Sequence, residues 1–316
     1  MQSEKFTLPP MSSVAYHPTR PARSSFVPVR TLSYHVLEWG DRASVTPERP
    51  SVVMVHGWMD VGASFQFVVD ALAEDRHIIA PDWRGFGLTQ APGTDSYWFG
   101  DYLGDLDALL DACDLAHPVD LLGHSMGGNV AMVYAGVRPG RVRTLVNLEG
   151  FGMPATSPDQ APERYAKWLD ELKQPSRLRD YDSLDAVAAR MRMNNPRLTE
   201  ERARWLASHW ASRNDAGRWD LRGDPAHKRT NPQLYRKEEA LACWSRIAAP
   251  TLVVEAELDQ TRLWWGDRYP RSEFIERLQV VPRARRATVT DAGHMLHHDQ
   301  PRQLAALLEA FWAEGA

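Results

Sequence analysis

The sequence predicts an α/β fold: a mostly parallel sheet with helices on both faces, interrupted once by a long helical insertion. Three observations predict it. Short apolar runs of strand length recur along the chain, each bounded by Gly or Pro. Helix-period apolar stripes lie between them, which is the alternation of a parallel sheet. From about residue 153 to residue 242 the strand pattern stops and only helical stretches remain.

The first thirty residues carry Pro9, Pro10, Pro18, Pro21 and Pro28, so an extended, irregular arm is expected. Residues 31–39 alternate as a half-buried strand does. Residues 52–55, between Pro50 and Gly57, form a continuous apolar run, the mark of a strand buried on both faces. Further strands are expected at 78–80, stopped by Pro81; at 119–122, ending at Gly123; and at 142–148, ending before Gly150. Two more are expected at 251–254, after Pro250, and at 287–290.

Helices fill the intervals. Phe65, Val68, Val69 and Leu72 make one stripe. Trp98, Tyr102, Leu106, Leu109, Leu110 and Cys113 make another, with Asp101, Asp105, Asp107 and Asp111 expected on its polar face. Residues 129–137 are nearly all apolar or small, predicting a buried helix. Leu304, Leu307, Leu308 and Phe311 close the chain with a last helix.

The insertion holds helical stretches at 162–173, 183–193 and 199–212. It is too long for a plain loop, and strands resume at 251, so it reads as a cap set into one α/β domain. The expected division is an arm at 1–30, a core at 31–152 and 243–316, and a cap at 153–242.

Composition excludes several classes. Lys plus Arg number 37 against 41 Asp plus Glu, a net charge of −4 with no basic block, so no nucleic-acid partner is expected. No apolar run approaches the roughly 20 residues of a membrane span. The N-terminal stretch lacks the apolar segment of a signal peptide. Cys113 and Cys243 cannot build a disulfide framework and suit free thiols in a reducing compartment. The expectation is a cytoplasmic protein, monomer or homodimer, that acts on a small molecule and binds no membrane.

The strongest motif is Gly-His-Ser-Met-Gly-Gly at 123–128. It has the form G-x-S-x-G, follows an apolar strand and opens a small-residue helix, the context a nucleophile elbow requires. Such a turn strains Ser125 and exposes its hydroxyl, and the helix N-terminus favours a developing oxyanion. His-Gly-Trp at 56–58 follows the strand at 52–55. The amides of Trp58 and Met126 are the candidate oxyanion hole. A serine hydroxyl needs an adjacent base. His294, after the last strand and C-terminal to the serine, supplies it in the chain order Ser, acid, His.

Two carboxylates compete to orient that imidazole. Asp259 and Glu149 each lie just past the end of a strand, and Asp259 is preferred. Glu255 and Glu257 sit at strand positions and are expected to be structural.

Other segments argue against cofactors. Asp-Trp-Arg-Gly-Phe-Gly at 82–87 lacks the third glycine of a dinucleotide fingerprint, and there is no P-loop, so Arg84 is read as structural. His294, His297 and His298 form H-x-x-H-H, which lacks the spacing of HExxH or of zinc ribbons, so no metal is expected. The expected substrate pocket includes Trp58, His124, Glu149, Trp210 and His227. Trp168, Trp205, Trp210 and Trp219 could line an aromatic pocket but are expected mainly to join cap helices; Arg177, Arg179, Arg190, Arg192 and Arg197 hint only weakly at an anionic substrate, and a solvated helix face explains them equally well.

These motifs together resemble the α/β-hydrolase fold superfamily, over nearly all of residues 31–314. The matching pieces are HGW at 56–58, DWRGFG at 82–87, GHSMGG at 123–128, PTLVV at 250–254 and AGHMLHHDQP at 292–301. The resemblance implies an eight-stranded sheet with one antiparallel edge, a cap after the sixth strand and a Ser-acid-His triad. Members most often carry the acid where Asp259 stands, although the glycine usual three residues before it is Ala256 here. Haloalkane dehalogenases use a carboxylate placed like Glu149. They and the epoxide hydrolases of this fold use an Asp nucleophile, which Ser125 replaces. The segments at 148–154 and 224–228 look like the serine-hydrolase-like branch.

The expected activity is hydrolysis of a carboxylic ester through an acyl-enzyme. Cleavage of a thioester, amide, lactone or C–C bond, or acyl transfer, are the alternatives. A catalytically silent binding module is the reading from a different class.

Overall fold

The computed structural model describes residues 15–314. Eleven strands occur among them. They are β1 (Arg23–Val29), β2 (Leu32–Trp39), β3 (Val52–Val55), β4 (Ile78–Pro81), β5 (Val119–His124), β6 (Val142–Leu148), β7 (Asp180–Tyr181), β8 (Ala211–Arg213), β9 (Trp219–Leu221), β10 (Thr251–Ala256) and β11 (Ala284–Val289). The helices before the insertion are α1 (Gln66–Ala71), α2 (Phe99–Ala112) and α3 (Met126–Val137). The next four are α4 (Ala161–Leu172), α5 (Leu184–Asn194), α6 (Glu200–Trp210) and α7 (Lys237–Trp244). The last four are α8 (Thr261–Trp265), α9 (Arg271–Leu278), α10 (Leu296–Asp299) and α11 (Pro301–Glu314).

Eight strands form one sheet in the order β1-β2-β4-β3-β5-β6-β10-β11. β2 runs antiparallel to both β1 and β4, and the other pairings are parallel. The expected antiparallel edge is therefore one strand in from the edge. The edge itself is β1, inside the stretch expected to be an irregular arm. Its exposed pattern is polar enough to hide it from a search for apolar runs.

β3 and β5 are wholly buried, as strands covered on both faces must be. Alternate residues feed opposite faces. Val52 and Met54 join one apolar cluster with α1, α11 and parts of α5 and α6. Val53 and Val55 join a second with α2, α3 and α9. Asp105, expected on the polar face of α2, is buried and receives both Nε and Nη2 of Arg84, at 2.5 and 2.7 Å. Arg84 is thus structural, as the sequence suggested.

The chain leaves the sheet after β6 and returns at β10. α4, α5 and α6 lie where helices were expected. The excursion also holds a small antiparallel sheet, β7-β9-β8, whose strands of two or three residues are too short to leave a period. α7 packs against α3 so closely that a Cβ on Gly136 would sit 2.6 Å from the Cys243 carbonyl carbon.

Discrete contacts fasten this segment down. Trp210 Nε1 donates to Asp60 at 3.2 Å, Asn195 to Asp299 at 2.7 Å, and Tyr97 to Asp224 at 2.8 Å. Tyr16 sits edge-on to both Phe67 and Trp205, and its hydroxyl donates to Asp70. No helix among the described residues is long and apolar enough to cross a membrane.

Candidate active site

Three carboxyl-terminal strand ends converge, as open parallel sheets dictate. Ser125 sits between β5 and α3 at φ 53°, ψ −114°, a left-handed conformation costly for a residue with a Cβ. Its amide donates to Leu148 O on β6 at 2.8 Å, holding the turn in place. The flanking glycines are required by close approach. A Cβ on Gly123 would lie 2.6 Å from the Gly128 nitrogen, and one on Gly127 would lie 2.6 Å from His56 O.

His294 Nε2 lies 3.0 Å from Ser125 Oγ, and its Nδ1 lies 3.3 Å from Glu149 Oε2. The tautomer that satisfies both bonds carries its proton on Nδ1, leaving Nε2 to accept from the serine hydroxyl. Glu149 follows β6 at φ 57°, in the left-handed region. Its amide donates to Val254 O at 3.0 Å, and its Oε1 accepts from Ala256 N at 2.6 Å. Burial raises its pKa above the ordinary carboxylate value, and the His294 and Ala256 bonds oppose that shift.

The carboxylate facing His294 is therefore Glu149, which corrects the preference for Asp259. Asp259 Oδ1 instead accepts from Thr261 N at 2.9 Å and Thr261 Oγ1 at 2.5 Å, a local turn at the start of α8. Glu255 is structural, receiving Arg271 and Arg286.

The loop carrying His294 is held from both sides. Its amide donates to Gln260 Oε1 at 2.7 Å, and its carbonyl accepts from His124 Nε2 at 2.8 Å. Trp264 meets the imidazole edge-on at 4.5 Å. Sequence reasoning missed Gln260 and Trp264. Their only sequence signal was their place just after a strand end.

Two of the expected pocket residues are buried. His124 is 1% exposed; burial and the nearby His297 and His294 hold its pKa well below the usual range. His227 is stacked between Phe86 and Tyr97 at 3.8 and 3.5 Å, with Nε2 donating to Arg84 O at 3.1 Å. It clasps the inserted segment to the core, and burial lowers its pKa to about 4. Trp210 lies at the same junction, with Met59, Val61 and Arg222 nearby. Trp58 is half exposed. Its turn passes Ser125 closely, since a Cβ on Gly57 would be 3.1 Å from Ser125 Cβ.

Such an array can pass a proton from a hydroxyl to an imidazole while a buried carboxylate faces the resulting charge. The family model for the alpha/beta hydrolase fold matches residues 50–301, and the chain belongs to that family. The chain is 38% identical over 105 residues to a 2-hydroxy-6-oxo-2,4-heptadienoate hydrolase of Pseudomonas putida, a match spanning 32% of this chain and 38% of that protein. It is 28% identical over 292 residues to a 3-hydroxybutyrate-oligomer hydrolase of Cupriavidus necator, spanning 89% and 92%. A solved thioesterase domain from the curacin biosynthetic pathway superposes with a TM-score of 0.77 at 24% identity, covering 91% of this chain and 99% of that one. That last likeness speaks to the fold.

Proposed function

We propose that the protein is a serine hydrolase that cleaves a carboxylic ester or related acyl bond through an acyl-enzyme. The observation that carries this is the unbroken contact from Ser125 Oγ through His294 to Glu149. Ser125 attacks the carbonyl carbon while His294 Nε2 takes its proton. Glu149 stabilises the imidazolium, and Asp259 has no part in the step. The amides of Trp58 and Met126 receive the oxyanion, a kind of donor whose loss costs about 3–4 kcal/mol. His294 then returns the proton to the leaving alkoxide. Water activated by the same imidazole releases the acid.

The segment between β6 and β10 is proposed as the cap over this site, with Trp58 and Trp264 at its rim. The name of the Cupriavidus relative, which matches along nearly its whole length, supports an oxygen ester over other acyl bonds.

Short-chain p-nitrophenyl esters test the proposal. Wild type should turn them over, and Ser125→Ala should lose about 10^6-fold in kcat. Equal turnover by both, across several acyl lengths, would leave only the silent binding module.

A further inference from the structure

A second cluster lies behind the catalytic loop, on side chains the proposed reaction does not use. Asp60, after β3, meets His297 and His298 of α10, and one donor atom from each lies within 4.8 Å of the others. All three are at least 97% buried, with exposures of 3%, 0% and 2%. Asp60 Oδ1 is fully engaged by Val61 N at 2.9 Å, by Trp210 Nε1 at 3.2 Å and by the Ser64 hydroxyl. Among the described residues, Asp60 Oδ2 has no hydrogen-bond partner, and none is found for either ring nitrogen of His297 or for His298 Nε2. His297 Nε2 stops 3.8 Å from Asp60 Oδ2, beyond hydrogen-bond reach.

Buried polar atoms without partners are costly and rare, and here three residues that carry them bring one donor atom each within 4.8 Å of the others. One carboxylate oxygen anchored by three donors and the other left free is the arrangement of an oriented monodentate ligand.

We propose that Asp60, His297 and His298 form a buried site for a divalent transition-metal ion of the zinc class. Two imidazoles and a carboxylate are a borderline donor set that suits such ions over Mg2+ or Ca2+. Tetrahedral donors about 2.0–2.1 Å from an ion stand about 3.3–3.4 Å apart, so closure from 4.8 Å needs each donor to move by about 1 Å or less. The spacing H-x-x-H-H argued against a metal because the third donor arrives from a distant strand end. The ion would tie α10 to the loop after β3, behind His294. His124 bridges the two sites, its ring 4.4 Å from that of His297 and 4.8 Å from that of His294.

The test uses the untagged full chain produced with Co2+ or Zn2+ in the medium. Metal content is read by mass spectrometry and the cobalt ligand field by visible absorption, both independent of ester turnover. Wild type and His17→Ala, a variant of an exposed histidine, should each hold about one ion per chain. His297→Gln and His298→Gln, with native circular dichroism, should hold at least ten-fold less. Should those variants fail to fold, X-ray absorption of the zinc-loaded wild type decides: two imidazoles and an oxygen at about 2.0–2.1 Å support the site. Fewer than two imidazoles, variants that retain the metal, or a wild type below about 0.1 ion per chain would overturn it, leaving an Asp60–His297 ion pair alone.

Discussion

The parallel core and the segment inserted between β6 and β10 are built on different terms. In α3, eight side chains or backbone positions are buried, and its neighbours approach closely enough to exclude a Cβ. In α4, no residue is buried, and Tyr165 and Leu169 are each half exposed. The core is held by continuous burial, and it carries its strain where the chemistry is proposed, at Ser125 and Glu149. In the inserted segment α5 and α6 join the core cluster, whereas α4 and the loops are held by separate clasps. A part with few buried contacts, such as α4, opens at lower free energy than its scaffold, so the clasps set how firmly that part sits.

The largest effect that separates the regions is expected in the core. Gly123→Ala places a methyl group against backbone of the elbow that cannot yield, and should cost about 3–4 kcal/mol in urea unfolding. A loss below about 1 kcal/mol would show that the elbow relaxes more freely than its packing implies.

The clasp at His227 should come next, through pH. An unfolded histidine binds its proton below about pH 6.5, whereas His227 in the fold does so only below about 4. The unfolded chain therefore holds more protons in that window, and stability is complete above pH 6.5 and falls as pH drops toward 4. The contribution is about 2–3 kcal/mol. Urea titrations at pH 7 and pH 4.5 should show His227→Leu losing less stability between the two than wild type. Identical losses would remove His227 from the account.

A smaller effect is expected at the N-terminal strap. Asp70 accepts from the Tyr16 hydroxyl, from Thr19 N at 3.1 Å, from Arg20 N at 2.8 Å and from Gln66 Nε2 at 3.0 Å. Asp70→Ala should cost about 1–2 kcal/mol. It should also raise proteolysis near residues 15–22 without altering kcat, because the strap touches α1 and α6 and not the strand ends.

The same contrast explains what could be read from the sequence. The core strands were legible because burial on both faces forces apolar runs, and the elbow because its turn demands glycines beside a serine. Ser125 stood out for that reason, and His294 for its place after the last strand in the order Ser, acid, His. The partner of His294 was not. Glu149 and Asp259 both follow strands, and the choice depends on a left-handed kink at 149 and on the β6–β10 pairing that sets Ala256 N against Glu149. Neither leaves a local pattern. Asp105 looked solvated because Arg84, its buried partner, comes from a separate loop. β7, β8 and β9 are shorter than any period that sequence can show. Asp60 and the two histidines meet only in three dimensions, so spacing along the chain could not pair them.

The proposed acid at the strand ends is Glu149, and comparing kcat for Glu149→Gln and Asp259→Asn on one ester substrate separates it from Asp259. Glu149→Gln should lose about 10^3–10^4-fold, the scale for an amide replacing the acid of such a triad, while Asp259→Asn should stay within about 3-fold of wild type. The reverse order of losses would contradict the account.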